Sequence, residues 1–228
     1  MTLWEWGRLS THLGMGPGLC RGDSRWVAGL RRFKQLKDKT MTSYLLAGPA
    51  EEPVSLVEAK AFLKVDDAAE DGLITTLIGA ARLHIEGITG KALLAQSWRV
   101  VLDDWPDNRV VRLPVSPLIA ITEISATDGN GASHEIPLDQ FGSEPDRLIV
   151  PRVVVGLPSL QERQGIEIDY VAGFGTEPDD VPADLRQALL GLVAHWHEHR
   201  DAVIVAGSGA VVPSGFDRLV AAHKRVRL

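Results

Sequence analysis

Three histidines near the C-terminus alternate with other residues in the sequence HWHEHR, at His195, His197 and His199. Neutral imidazole is a common metal ligand, so the pattern raises the question of a zinc site. On a helix, residues two apart diverge, whereas residues four apart lie on the same side. His195 and His199 therefore share a face and His197 does not. Two ligands from one helix are half of a zinc site, and the HExxH spacing is absent.

The sequence offers few residues that could complete such a site, namely His84, His134, His223 and Cys20. Histidine and arginine at the end of a helix also interact favourably with the negative end of the helix dipole. We therefore interpret HWHEHR as the polar end of a structural helix, and we expect no metal site and no cofactor. A small metal-dependent enzyme that uses His195 and His199 is the first alternative, which a metal analysis of the purified protein would test.

No other segment has the pattern of a catalytic or nucleotide-binding site. The sequence AGSGA around Ser208 lacks the first glycine of a G-x-S-x-G elbow. The carboxylates of DDWPD (103–107) are typical of a solvated turn. GMGPG (14–18) is followed by no Lys-Ser/Thr pair, as a Walker A loop would require. We expect no catalytic residues and no enzymatic activity.

Composition and charge narrow the class of protein. Of the 228 residues 45% are hydrophobic and 24% are charged, which is typical of a globular domain. No apolar run approaches the roughly 18–20 residues that span a bilayer, so we expect no membrane contact. Residues 1–40 carry eight Lys and Arg against three Asp and Glu, whereas residues 41–228 carry 16 against 27. The acidic body argues against general DNA binding through phosphates.

The basic residues 1–50 are interpreted as an N-terminal extension. Two hypotheses remain open for it: an arm that contacts a partner, or a translation start placed upstream of a true start at Met41. A DNA-binding regulator that uses this arm is the second alternative function. The identity of the neighbouring genes would distinguish these alternatives.

Hydrophobic periodicity predicts three main helices, at 55–64, 68–89 and 182–199. Ser55 and Glu58 have the spacing of a capping box. The predicted buried stripe of the second helix is Leu73, Leu77, Ala81, Ile85 and Ile88, and that of the third is Leu185, Leu189, Leu192 and Trp196. Both sides of the second helix are apolar, which is more apolar surface than one small core requires.

Between these helices the period changes to two, as in a β-strand. Ile166, Ile168 and Tyr170 are predicted to point inward, and DGNG (128–131) to form a hairpin turn. Residues 139–165 show no clear pattern. The sequence predicts an α+β fold: a helical core of three main helices plus a C-terminal segment, with an inserted antiparallel β-region at 96–172. The predicted boundaries are 1–50, 51–212 for the main domain, and 213–228.

The order of these motifs resembles the head–tail connector proteins of tailed phages and gene transfer agents. The resemblance covers roughly 55–202 and includes the segments LVEAKAFL, DGLITTLIGAAR, TGKALLAQSW, LPVSPLIAITEIS, IEIDYVAGFG and HWHEHR. The family-motif residues to which it assigns structural roles are Glu58, Lys60, Arg82, Trp98, Trp196, Glu198 and Arg200.

The resemblance implies a structural adaptor in the neck of a virion or phage-like particle, assembled in the bacterial host cytoplasm. Its expected partners are further copies in a ring, usually twelve-fold, the portal protein and a downstream neck or stopper protein. DNA would pass through the channel without sequence-specific binding. The C-terminal segment is expected to dock on the portal, with candidate residues Phe216, Arg218, Leu219, Lys224, Arg225 and Arg227. Deletion of 214–228 is then expected to leave a folded subunit that no longer attaches.

Overall fold

One strand with clean alternation, Ile166–Ala172, forms the centre of the β-region. The computed structural model describes residues 41–199 and 212–224. Ile166, Ile168 and Tyr170 are fully buried, as the period of two predicts. On the opposite face of the same strand, Glu167 and Asp169 both form ion pairs with Arg99 of the neighbouring strand, at 2.7 and 2.6 Å. The two faces therefore separate an apolar core from a charged surface.

The described residues form four α-helices and eight strands. The helices are α1 (Leu56–Leu63), α2 (Asp71–Thr89), α3 (Ala183–Glu198) and α4 (Phe216–Ala221). The strands are β1 (Met41–Ala47), β2 (Gln96–Leu102), β3 (Val110–Arg112), β4 (Leu118–Thr127), β5 (Ser133–Glu135), β6 (Gly142–Glu144), β7 (Arg147–Ile149) and β8 (Ile166–Ala172).

The strands form two antiparallel sheets. The larger has the order β1-β2-β8-β4-β5, and the smaller has the order β3-β7-β6. The turn DGNG joins β4 to β5 as predicted, and the Asp128 side chain accepts hydrogen bonds from the amides of Asn130 and Ala132 within it. The unpatterned stretch 139–165 contains β6 and β7. Each has only three residues, too few to show an alternation.

The described residues bury two apolar clusters, one in each part of the α+β fold. The helical cluster includes Ile74, Ile85, Leu93, Leu185 and Leu189. The cluster of the β-region lies between the sheets, with members Ile124, Ile136, Leu148, Ile166 and Tyr170. The three predicted helices and the inserted antiparallel β-region are therefore confirmed.

The predicted buried stripe of α2 was only partly correct. The residues that α2 buries are Ile74, Ile78, Ala81, Ile85 and Thr89. Leu73 and Ile88, which were predicted to be buried, are 37% and 38% exposed. Because α2 is apolar around most of its circumference, periodicity alone could not decide which side meets the core.

The predicted capping box at α1 was also half correct. The Ser55 hydroxyl accepts a hydrogen bond from the Glu58 amide at 3.2 Å. The Glu58 carboxylate does not return to the Ser55 amide but pairs with Arg186, 128 positions away in the sequence. A tertiary ion pair has replaced the local contact.

Strand β1 was not predicted, because Met41–Ala47 were counted with the N-terminal extension. They pair with β2 from Met41↔Leu102 to Ala47↔Ser97, with one irregularity after Leu45. Residues 1–40 lie outside the described residues. Across 41–199 and 212–224, no helix is both long and apolar enough to cross a membrane.

Candidate docking surface and its supporting residues

Helix α3 turns its histidines in two directions, as the helical spacing predicts. The rings of His195 and His199 lie with their centroids 4.5 Å apart. His197 points elsewhere, and its Nε2 lies 2.7 Å from the Glu70 carboxylate, which connects the end of α3 to the turn before α2. In the part of the chain that the structure describes, no three His, Cys, Asp or Glu side chains converge as metal ligands would.

Two charged motif residues of α1 connect it to the other helices. Glu58 accepts two hydrogen bonds from the Arg186 guanidinium, at 2.9 and 3.0 Å, near the start of α3. Lys60 Nζ lies 2.6 Å from the Asp71 carboxylate at the start of α2 and 3.1 Å from the Asp67 carbonyl oxygen. These contacts connect α1 to the start of α2 and to α3.

Arg82 and Glu86 connect α2 to the chain on both sides of it. Arg82 donates to Glu52 at 2.8 Å and to Glu86 at 3.1 Å. Glu86 also accepts from the Leu93 amide at 3.0 Å and from Gln96 Nε2 at 2.6 Å. The carboxylate thus holds the turn between α2 and β2, the junction between the helical core and the β-region.

Burial affects the ionisation of both residues. Burial raises the pKa of Glu86 above its ordinary value, although the Leu93 amide, Arg82 and Gln96 oppose the shift. For Arg82 burial lowers the pKa, but the carboxylates of Glu52 and Glu86 outweigh it, so the pKa is raised and the guanidinium stays charged. Arg82 was identified through the resemblance, whereas no pattern in the sequence pointed to Glu86.

The two motif tryptophans support different cores. Trp98 of β2 packs against the cluster of the β-region. Trp196 of α3 packs against the helical cluster and meets the ring of His84 edge-on, with centroids 5.7 Å apart. Glu198 is exposed at the end of α3, and Arg200 lies outside the described residues.

Helix α4 carries most of the candidate portal-docking residues that the structure describes. Phe216 and Val220 are 3% and 0% exposed and belong to the helical core. Leu219 is partly buried against that core, and Arg218 is exposed. Lys224 is exposed and pairs with Asp217 at 2.7 Å. Arg225 and Arg227 lie outside the described residues.

The burial of Phe216 changes the expectation for a truncation. Removal of 214–228 would take two core side chains with it, and large buried residues typically contribute about 2–5 kcal/mol each to stability. Deletion is therefore expected to destabilise the helical core. The burial of Phe216 therefore argues against a folded truncated subunit, and the sequence pattern could not show that Phe216 packs on its own subunit.

A groove lies beside α4. It has a volume of about 370 Å³ and is lined in part by Ala188 and Gly191 of α3 and by Pro213, Phe216 and Leu219. Arg218 borders it. An apolar groove with an adjacent cation could receive an amphipathic segment of another protein. Of its lining residues, Phe216, Arg218 and Leu219 were docking candidates from the sequence, whereas the contribution of α3 and the groove itself were not predicted.

A second groove was not predicted from sequence. It lies between β1, α2 and β2, and its volume is about 320 Å³. Leu83 of α2 lines it and is 60% exposed. The sequence did contain a signal for it, the uncharged residues on the side of α2 away from the core. The periodicity of α2 showed only that this helix has more apolar surface than one core requires.

In comparisons with known proteins, the chain matches the model of one family and resembles several solved structures. Residues 53–137 match the model of the phage gp6-like head-tail connector protein family. No protein of curated function shows a significant sequence match. The fold is similar to a chain in the neck of an empty gene transfer agent (GTA) particle, computed with C6 symmetry, with a TM-score of 0.68 and 25% identity over 82% of this chain and 97% of that one.

Two further structures show the same identity and coverage. One is the virion of a native gene transfer agent particle, with a TM-score of 0.67. The other is the neck of a native GTA particle computed with C12 symmetry, with a TM-score of 0.63.

Proposed function

We propose that this chain is a head–tail connector protein, a structural subunit of the neck of a phage-like particle. Copies form a twelve-fold ring beneath the portal, extend the DNA channel and provide a platform for the next neck or tail protein. The observation that carries this proposal is the similarity to GTA neck chains over 82% of this chain and 97% of theirs. The role is structural and involves no catalysis.

The charge of the chain suits a DNA channel. The 27 acidic and 16 basic residues of 41–228 give the body a negative potential. A negatively charged wall repels the phosphate backbone, so DNA can slide past it without being held. The chain acts in the particle neck and is assembled into it in the host cytoplasm.

The portal docks at the surface that α4 forms with its groove. Phe216 and Val220 anchor the helix in its own subunit, which leaves Arg218, Leu219 and Lys224 at the surface. Arg225 and Arg227 would extend this basic surface. Each contact can be weak, because a ring presents many copies and the effective concentration strengthens attachment.

Charge reversal on the intact chain tests the docking assignment. Arg218→Glu combined with Lys224→Glu reverses the two exposed cations of this surface that the structure describes and leaves Phe216 unchanged. We expect the amount of chain that copurifies with DNA-filled heads to fall roughly tenfold or more, since the loss is repeated around the ring. Circular dichroism should show an unchanged fold.

The matched control reverses two exposed arginines of the β-region, Arg112→Glu with Arg163→Glu, and should attach as the wild type does. Wild-type copurification of the Arg218/Lys224 variant would show that the portal binds elsewhere.

A further inference from the structure

The side of α2 that faces away from the core carries no charge. Its exposed residues are Gly72, Leu73, Thr75, Thr76, Ala80, Leu83, Gly87 and Ile88. The charged groups at its borders are held within the chain, Asp71 by Lys60 and Arg82 by Glu52 and Glu86. A solvent-facing helix surface normally carries charged residues, so this surface has the composition of a contact.

Two glycines on this surface have no role in the packing of the described chain. A Cβ atom added at Gly72 or Gly87 would meet no other atom within 4 Å. Neither residue has the positive φ that favours glycine. Glycine destabilises a helix relative to alanine, so its use here indicates close approach by something outside the subunit.

The 320 Å³ groove continues this surface towards β1. Leu83 and Gly87 of α2, Leu45 of β1 and Trp98 of β2 are among the residues that line it. Leu45 is 48% exposed, and the Trp98 indole nitrogen has no hydrogen-bond partner among the described residues. Its volume lies in the range of pockets that enclose apolar groups, about 300–1,000 Å³.

A complementary feature lies on the segment between β7 and β8. Val153 and Val155 are 75% and 67% exposed, within the uncharged run 153–160. The backbone of Val155 is held in place: its amide donates to Gln140 Oε1 at 2.8 Å and its carbonyl accepts from Gln140 Nε2 at 3.2 Å. Val155 is thus presented to solvent on an anchored backbone, with Val153 exposed two residues before it.

The groove and the valines lie at different edges of the larger sheet. β1, which borders the groove, is one edge strand, and β5 is the other. Gln140 follows β5 closely, and the Gly129 amide in the β4–β5 turn donates to the Ser159 carbonyl at 3.2 Å. A ring requires this arrangement, in which one surface of a subunit meets a different surface of its neighbour.

We infer that the groove between β1, α2 and β2 receives Val153 and Val155 of the next copy of this chain. The inference rests on the proposed ring. A second copy is the occupant that the charges favour. Each copy is acidic overall, with a net charge of −6, whereas the carboxylate in the groove, Glu86, is paired with Arg82 and the other charged lining residue is the cation Lys91. The uncharged run 153–160 of another copy can therefore approach this groove without repulsion. The apolar side chains on both surfaces would leave water together on contact.

Cysteine cross-linking tests the pairing. In a Cys20→Ser background, the full chain carrying Leu83→Cys and Val155→Cys is treated with a short bis-maleimide during ring assembly. We expect a ladder of covalent oligomers, because each copy offers one thiol to each neighbour. Each single-cysteine variant, and a control pair of Val57→Cys on α1 with Leu83→Cys, should give no ladder.

The state of assembly, measured by light scattering on the same sample, separates the possible failures. Rings without a ladder would overturn the pairing and leave the proposed function intact. The absence of both rings and ladder would overturn the two together.

A charge in the contact provides a second measurement. Val155→Glu places a carboxylate on an exposed side chain, so the subunit should fold normally while the concentration needed for assembly rises about tenfold or more. Val57→Glu, at a site 77% exposed on α1, is the matched control and should assemble normally. Unchanged assembly of Val155→Glu would contradict the inference.

Discussion

At the scale of single residues, Glu86 shows how one buried carboxylate connects two parts of the fold. It binds Arg82 within α2, and Gln96 and the Leu93 amide beyond it. The resemblance identified Arg82 as a motif residue, but its partners are set by the turn between α2 and β2. Sequence spacing does not give that geometry, so this network could not be derived before the structure.

The raised pKa of Glu86 predicts a pH dependence of stability. A carboxyl group whose pKa rises on folding binds protons more tightly in the folded state. Its contribution is present below the ordinary pKa of 4.5 and is lost as the pH rises through the folded value. Glu86→Gln removes this pH-dependent contribution to stability, because glutamine does not titrate. The free energy of unfolding of the wild type, relative to the variant, should therefore decrease from pH 4 towards neutrality.

Urea denaturation of the wild type and of Glu86→Gln at several pH values measures the difference between their free energies of unfolding. A difference that stays constant, or that grows with pH, would show that pairing with Arg82 outweighs burial at Glu86.

At the scale of elements, α2 shows where the sequence was informative and where it was not. Its existence and its stop at Gly90, which has a φ of 67°, were predictable from periodicity and glycine chemistry. The side that meets the core was not, because Ile74 and Leu73 are equally apolar neighbours. Strand β1 was missed for a related reason: six of its seven residues are exposed, so no alternation marks it.

The glycines of α2 give a prediction at this scale. Gly87→Ala should raise the stability of the isolated subunit by about 0.5–1 kcal/mol, because alanine restricts the unfolded chain and meets open space in the fold. The same change narrows the groove and should weaken ring assembly. Thermal denaturation and light scattering report the two effects.

Gly79→Ala is the matched control on the same helix. Its added Cβ would lie at an ordinary contact distance of 3.7 Å from the Glu52 carboxylate, away from the groove. It should stabilise the subunit and leave assembly unchanged. If Gly87→Ala and Gly79→Ala assembled equally well, Gly87 would have no special role in ring assembly.

At the scale of the whole molecule, each of the two cores positions a different proposed contact surface. The helical core holds α4, with Phe216 and Val220 inserted, and thereby sets the surface proposed for the portal. The β-region presents the exposed Val153 and Val155, and the groove lies where β1 and β2 meet α2. The α+β class and its order of segments could be predicted from the sequence. The placement of these surfaces depends on contacts between distant residues.

Cryo-electron microscopy of the neck, in particles produced by cells that encode this chain, tests the central claim most directly. A reconstruction with twelve-fold symmetry should show a ring of this α+β fold between the portal and the next neck protein, with α4 on the portal side. A neck that contains no density for the fold, in particles from which the chain is absent by mass spectrometry, would contradict the account.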